Sequence, residues 1–399
     1  MVISGADLSK LQKITYKGKP IDLLPSSSIL QKLFPLSMEV IGRSLNVPVL
    51  VKSSQGATYP NGGVVSYADD VPATFVEASI SPYEIIMHDY LSLTDASAMA
   101  ASEAAYRRGS AQIFKQLLDS HGFRAELALL YGSSVNGLMA VSSVSSQVIT
   151  ITDASWSPSL ARKLVGAKLE AFTTGGTQHD GTFTVASVNL SAKQLTVTGT
   201  ISSVVANDCL FFLGSRLKDG VGVDAIATNT GTLQGISASS YPDWAGQAYA
   251  VGSVQLNRQK ALAAAALSYG AGYEGDLYLL CSIEAAQILA DNESVLVQHN
   301  GSDKEKVNGA SEIRWLGVGG DIVVVPHPYV KNGEAFLVPK DAFEVVGRAK
   351  PGIKIPGSDP AELFILSETK TAFKLQSYSN MTCFSSQPNA IVKLTGVVN

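Results

Sequence analysis

Apolar and polar positions follow two rhythms along this chain, and the rhythm changes twice. Between residues 94 and 131, Met99, Tyr106, Ile113, Phe114, Leu117 and Leu118 recur at three-, four- and seven-residue intervals, one stripe of a long helix. Thr94 and Asp95 can cap its start, and Gly132 stands where a C′ glycine belongs. Gly109 and Gly122 weaken it, so the stretch is two helices or one bent one. From Ser146 to about Arg216 the period drops to two. Thr182–Val185 and Gln194–Thr198 alternate about a turn at residues 189–193, and Val148–Thr152 and Leu210–Leu213 are further strands. Helical texture then returns at Val254–Ser268 and Ser282–Asp291, with the strand Leu277–Cys281 between them. Apolar runs bounded by proline or glycine follow at Asp321–Pro326 and Glu334–Pro339, and strands close the chain at Leu363–Leu366, Ala372–Tyr378 and Ile391–Leu394. Helices and strands mix without a βαβα alternation, which predicts an α+β fold. Strands alone between helix-rich flanks predict an inserted β-module of roughly 70 residues.

Ahead of the long helix, residues 46–90 read as a β-excursion. Val49–Val51 is one leg and Val71–Ile86 the return, with Pro60, Asn61, Gly62 and Gly63 as turn chemistry. Tyr59, Val64, Val65, Tyr67 and Phe75 sit on it without partners enough for a core of their own, so the ribbon docks on its own domain or on another subunit. Residues 1–45 read as an arm, broken by Pro20, Pro25 and Pro35, with a short helix at Ser28–Phe34. Lys10, Lys13, Lys17 and Lys19 outweigh Asp7 and Asp22 there.

Composition sharpens this picture. Only 16% of the 399 residues are charged and 46% are apolar, against about a quarter charged in ordinary soluble domains. The densest apolar run, Ala261–Leu267, is far shorter than the ~18–20 residues a spanning helix needs, so copies of the same chain are the simpler cover for such a surface. A net charge of −4 argues against a dedicated nucleic-acid reader.

Candidate chemistry is sparse. No phosphate loop and no Gly-x-Ser-x-Gly elbow occurs. His88, His121, His179, His299 and His327 form no metal-binding pair; His179 reads as turn chemistry, His299 as a loop residue and His327 as a rigid strand end. Cys209, Cys281 and Cys383 are far apart and read as small buried hydrophobes. No catalytic, cofactor or metal residue is assigned.

Two phrases flank the β-module: ALLYGSSVNGL, from Ala128 to Leu138, and LQGISASSYPDWAGQAY, from Leu233 to Tyr249. With the strand NGEAFLVP (Asn332–Pro339) and the closing strands, their order resembles the major capsid proteins of tailed double-stranded DNA bacteriophages. The resemblance implies the HK-97-type capsid fold: an arm (1–45), an extended β-loop (46–90), a spine helix with the peripheral domain (91–145), an inserted β-rich domain (146–216), and an axial domain with returning peripheral strands (217–399). It implies a structural protein of the virion that assembles as hexamers and pentamers in the host cytoplasm, with a separate scaffolding protein, a portal and a decoration protein as further partners. Tyr59, Asn61, Gly62, Gly63 and Tyr67 would then contact a neighbouring subunit, and the arm lysines would face the interior or packaged DNA. Some members of the family join a loop lysine covalently to a neighbour's asparagine. Here Lys52 stands at the loop's base and no lysine follows until Lys115, so a non-covalent shell is expected. An encapsulin-like nanocompartment shares the implied fold and is told apart by its cargo. A β-rich glycan-binding or adhesive protein is the reading from another class.

Overall fold

The computed structural model describes residues 28–37, 44–59, 62–63, 66–92, 103–294, 313–352, 365–366 and 372–399. The long helix runs unbroken as Glu103–Tyr131, through both Gly109 and Gly122. Its second half buries Leu117, Phe123, Ala125 and the run Leu127–Tyr131. That burial offsets the ~1 kcal/mol each glycine costs a helix, so no second helix is needed. The helix lies on a five-stranded sheet whose centre is the long strand Ala372–Ser385. This strand pairs antiparallel with Phe343–Gly352, with Ile365–Leu366 and with Tyr83–Ser92, and Leu36–Ser37 adds in parallel to Phe343–Gly352.

The ribbon is shorter than the sequence suggests. Leu45–Lys52 pairs with Thr74–Ile80, from Leu45↔Ile80 to Lys52↔Thr74. The return leg read as Val71–Ile86 is two strands, divided at Ser81-Pro82. Proline offers no backbone N–H to a ladder, and beyond it Tyr83–Ser92 joins the five-stranded sheet instead.

Between Met139 and Phe212 six strands close into an antiparallel barrel: Met139–Ser145, Val148–Ile151, Gln194–Thr198, Gln178–Asn189, Lys168–Phe172 and Cys209–Phe212, the last pairing back to the first. Alternation puts Ile149, Ile151, Leu169, Ala171, Phe183, Val185, Leu195 and Val197 inside. The strand period therefore starts at Met139, seven residues ahead of Ser146, inside the stretch 91–145 that the resemblance assigns to the spine helix and peripheral domain. The barrel is no free appendage. Phe123 of the long helix meets Phe212 edge-on, and the Arg124 guanidinium lies 3.7 Å from the centre of the Phe212 ring.

After the barrel a mixed six-stranded sheet forms, in the order Gln247–Val254, Val392–Val397, Glu334–Pro339, Leu277–Cys281, Asp321–Pro326, Ile313–Leu316. The helices Arg258–Gly270 and Ile283–Ser294 pack against it. Residues 254–257, expected in the first of these helices, end a strand and form its cap: the Asn257 side chain accepts the Lys260 N–H at 3.0 Å.

Gly132 has a different task from the one its position suggests. Left-handed backbone falls to Ser133 (φ 54°). Gly132 is glycine because the chain leaving the barrel crosses there: the Gly222 N–H donates to Gly132 O at 2.9 Å. A Cβ on Gly222 would stand 2.6 Å from Gly132 N and 2.8 Å from Ala128 O, all backbone. Gly222→Ala is therefore expected to cost about 1–3 kcal/mol by overpacking, read as a lower urea midpoint; an unchanged midpoint contradicts the crossing as tight.

Candidate assembly surface and the junction that carries it

At the ribbon's root, Ala78 and Ile80 are fully buried, and Leu45, Val47, Val49 and Val76 pack on the same core. The Ser79 N–H donates to Gln234 O at 2.7 Å, and the Gln234 amide donates to Cys383 O at 2.9 Å. Gln234 belongs to the second signature phrase, whose other residues build the socket. Leu233 and Ile236 pack in it, and Trp244 is buried with its indole N–H donating to Leu233 O at 3.0 Å. Past Thr74 the ribbon leaves the body. Leu50 and Phe75, paired across the two strands, are 53% and 65% exposed, and Tyr59 and Tyr67 are 90% and 93% exposed. Gly62 and Gly63 take φ of 82° and 88°, the left-handed turn residues that the sequence marks. Asn61, Lys10, Lys13, Lys17, Lys19 and His299 lie outside the described residues.

The first signature phrase builds the junction between the long helix, the barrel and the six-stranded sheet, a site the sequence reading missed. Four buried charges meet there: Asp224, Lys331, Glu334 and Lys393. The Lys393 ammonium bonds Asp224 Oδ1 and lies 2.6 Å from Glu334 Oε2. Lys331 lies 3.7 Å from Glu334 Oε1, donates to Gly137 O at 2.8 Å and stands over the Tyr131 ring at 4.1 Å. The Ser134 hydroxyl donates to Asp224 Oδ2, and the Asn136 amide reaches the same oxygen at 3.4 Å. Burial alone would raise the Asp224 carboxyl; Lys393 and Lys331, with the bonds from Lys393 and Ser134, outweigh it and hold it below the usual range. Burial likewise opposes the Lys393 charge, and Glu334 and Asp224 reverse that and raise it. Tyr131 is pushed well up by burial and by Glu334. Barrel and sheet also meet through backbone: Asn332 N–H to Trp156 O at 2.9 Å and Gly333 N–H to Ala154 O at 2.8 Å.

Three histidines have structural partners. His327 is buried, its Nε2 3.1 Å from Glu126 Oε1 while its Nδ1 accepts the Tyr329 N–H at 3.2 Å. The same Glu126 accepts the Leu30 N–H at 2.5 Å and the Gln31 amide at 3.1 Å, pinning the short helix Leu30–Leu33 to the long one. His179 sits in a strand, not a turn, with Nδ1 2.7 Å from Asp208 Oδ2. His121 is buried between Ser377 Oγ (2.6 Å) and Ser379 Oγ (2.7 Å), tying the long helix to the central strand. Cys209, Cys281 and Cys383 are buried free thiols. Among the described residues no group of three or more His, Cys, Asp or Glu is placed to hold a metal ion, and no helix is long and apolar enough to cross a membrane.

Burial, helped by Arg124, pushes the His121 imidazole down from 6.5 to about 4. Between those values the unfolded chain binds a proton that the folded one refuses, so His121 costs stability as pH falls, roughly 3 kcal/mol in all. Asp219 works against it: burial pushes its carboxyl up from 3.8 to about 6, so its contribution is present at low pH and lost as pH rises through that window. The comparison of wild type with His121→Gln isolates the first effect. Wild type is expected to lose about 3 kcal/mol relative to the variant between pH 6.5 and 4, measured by urea unfolding; a constant difference contradicts the assignment.

A chain of the Cyanophage A-1(L) capsid asymmetric unit superposes on this one with a TM-score of 0.58, at 13% identity, over 96% of this chain and 98% of that one. The chain has a phage capsid fold. A chain of the capsid of an empty GTA particle matches with a TM-score of 0.49 at 8% identity, covering 99% of this chain and 98% of its own, and one from Mycobacterium phage Adephagia with 0.49 at 11%, covering 100% and 99%. No family model and no curated protein sequence matches the chain. Within this capsid fold the long helix is the spine, the ribbon an extended excursion from it, and both signature phrases lie at its seams: the first where the spine meets barrel and sheet, the second where the ribbon enters the body.

Proposed function

We propose that the chain is the major capsid protein of a tailed double-stranded DNA phage, a non-enzymatic structural protein that assembles as hexamers and pentamers into an icosahedral head. One observation carries this reading beyond the shared fold: a ribbon rooted firmly in the core holds two tyrosines and a phenylalanine exposed, with none of the described residues burying them. A second copy is the partner that covers them, through Tyr59, Asn61, Gly62, Gly63 and Tyr67. Residues 1–45 act as an arm whose lysines face the interior or DNA; the extended loop expected over 46–90 ends at Ile80, since Tyr83–Ser92 joins the five-stranded sheet; the spine and peripheral part expected over 91–145 ends at Leu138 and the inserted domain expected over 146–216 begins at Met139, the first barrel strand; 217–399 act as axial domain and returning strands. Each subunit touches several neighbours, so individually modest contacts close the shell. Assembly takes place in the host cytoplasm, with a separate scaffold, portal and decoration protein as partners.

Expression of the chain, alone and then together with a separately supplied phage scaffolding protein, followed by sedimentation and negative-stain microscopy, tests this. Closed shells, pentamers or hexamers are expected, running as monomer on denaturing gels. A chain that stays monomeric under both conditions overturns the shell reading, and a covalent ladder overturns the non-covalent one.

A further inference from the structure

The buried charges at the foot of the spine are arranged for a reaction as well as for pairing. Lys393 lies on the strand Val392–Val397, which pairs with Glu334–Pro339 in the register Phe336↔Lys393 and Glu334↔Thr395. That ladder holds the Lys393 ammonium 2.6 Å from Glu334 Oε2, on the side of the sheet where the short helix Val223–Ala227 presents Asp224. The ammonium bonds Asp224 Oδ1, while the opposite oxygen, Oδ2, receives Ser134 and Asn136. The Phe336 ring lies 5.5 Å from the ammonium, and Tyr131 and Lys331 close the pocket. All three reacting groups are buried.

We propose that Lys393 and Asp224 condense into an intramolecular amide, with Glu334 carrying the proton. Glu334 Oε2 takes one proton from the Lys393 ammonium and passes it to Asp224 Oδ1, so that amine and carboxylic acid are both neutral. The freed amine attacks Asp224 Cγ, forming the C–N bond and a tetrahedral carbon whose Oδ2 is held by the Ser134 hydroxyl and the Asn136 amide, donors aimed at the oxygen where charge develops. A second proton passes from the nitrogen to Oδ1 by way of Glu334; the C–Oδ1 bond breaks and Oδ1 leaves as water. Two of the three ammonium protons thus depart in the water and one stays on the amide nitrogen. Nothing is oxidised or reduced, and no co-reactant is needed.

Three features favour this outcome over a permanent ion pair. The groups are held at reacting distance by ladder and helix, which supplies the orientation an intermolecular condensation lacks. The reaction removes two charges from a buried site, where ion pairs return little net stability. Lys331 supplies the third. Before condensation two cations balance two carboxylates; afterwards Lys331 and Glu334 remain, 3.7 Å apart and still neutral as a set. Condensation of one pair therefore leaves Lys331 as the partner of Glu334 and strands no charge at the junction. The amide would tie the chain's last strand to the segment leaving the barrel, within one subunit, so a denaturing gel would still show monomer.

The test is the intact mass of the purified full chain, followed by peptide mapping. The expected result is a chain lighter by one water, a digest containing a branched peptide that joins Lys393 to Asp224, and the full mass restored in Glu334→Gln. A wild-type chain at the mass of its sequence overturns the proposal, as does a lighter chain whose Lys393 and Asp224 peptides run separately. Should Glu334→Gln fail to fold, the wild-type mass and map still decide. The result does not depend on whether the chain builds shells, so its failure leaves the capsid reading untouched.

Discussion

Removal of residues 56–67, from Gly56 to Tyr67, is expected to leave a folded subunit that no longer closes into particles. Among the described residues none of the core side chains lies in that segment; the ribbon's buried residues begin at Ala78, and its two strands pair between Leu45 and Ile80. The neck of the excursion is already bridged by the Gln55 N–H to Val71 O bond at 3.1 Å, so rejoining the chain there asks little of the body. Stability rests on the buried root and the Trp244 socket, and the thermal midpoint should stay within a few degrees of wild type. On the proposed function, assembly rests on the part removed. Tyr59 and Tyr67 are 90% and 93% exposed, and exposed aromatic surface of this kind marks interaction sites. Sedimentation and negative-stain microscopy should therefore show free subunits or small oligomers. Normal shells from the shortened chain would remove the ribbon from the assembly mechanism.

Lys393→Met is expected to be the most damaging single substitution in the body of the protein, at about 3–5 kcal/mol. The methionine fits the volume of the lysine stem, so packing is nearly preserved and the loss is electrostatic. Asp224 and Glu334 would remain buried with Lys331 as their one cation in the cluster, and a buried carboxylate left without its partner carries the full desolvation cost. Chemical unfolding of the subunit measures it. The paired change Lys393→Met with Asp224→Leu should recover much of the loss, because it removes one charge of each sign; a double variant no better than the single one would show that the cluster acts through something other than charge balance.

Much of the fold was legible because the elements carry their own patterns. The spine was read from a helical stripe, Asp321–Pro326 and Glu334–Pro339 from apolar runs closed by proline, and Gln194–Thr198 from strict alternation. Elements without such a pattern were missed. Tyr83–Ser92 was folded into the ribbon because only its ten-residue pairing with Ala372–Ser385, some 290 residues away, separates the two. Gln247–Val254 was missed because its parallel partner, Val392–Val397, is also far away along the chain, some 145 residues on. The short helices Pro158–Lys163 and Val223–Ala227 have no room for a periodic stripe and exist because the barrel ends and the junction need them.

The sequence by itself determined the α+β class, the spine, the exposed ribbon and the two phrases beside the barrel, since local periodicity and turn chemistry act between residues a few positions apart. It could mark ALLYGSSVNGL and SSYPDWAG as distinctive without saying what they do. Tertiary structure alone decided that the first surrounds a buried four-charge junction and the second holds the ribbon's root. Asp224, Lys331, Glu334 and Lys393 are ordinary charges in the sequence, spread over some 170 positions, and chain folding places them close together in a buried pocket. Coulomb attraction and desolvation depend on distance in space and on the surrounding medium, and neither is written in the spacing of residues along the chain.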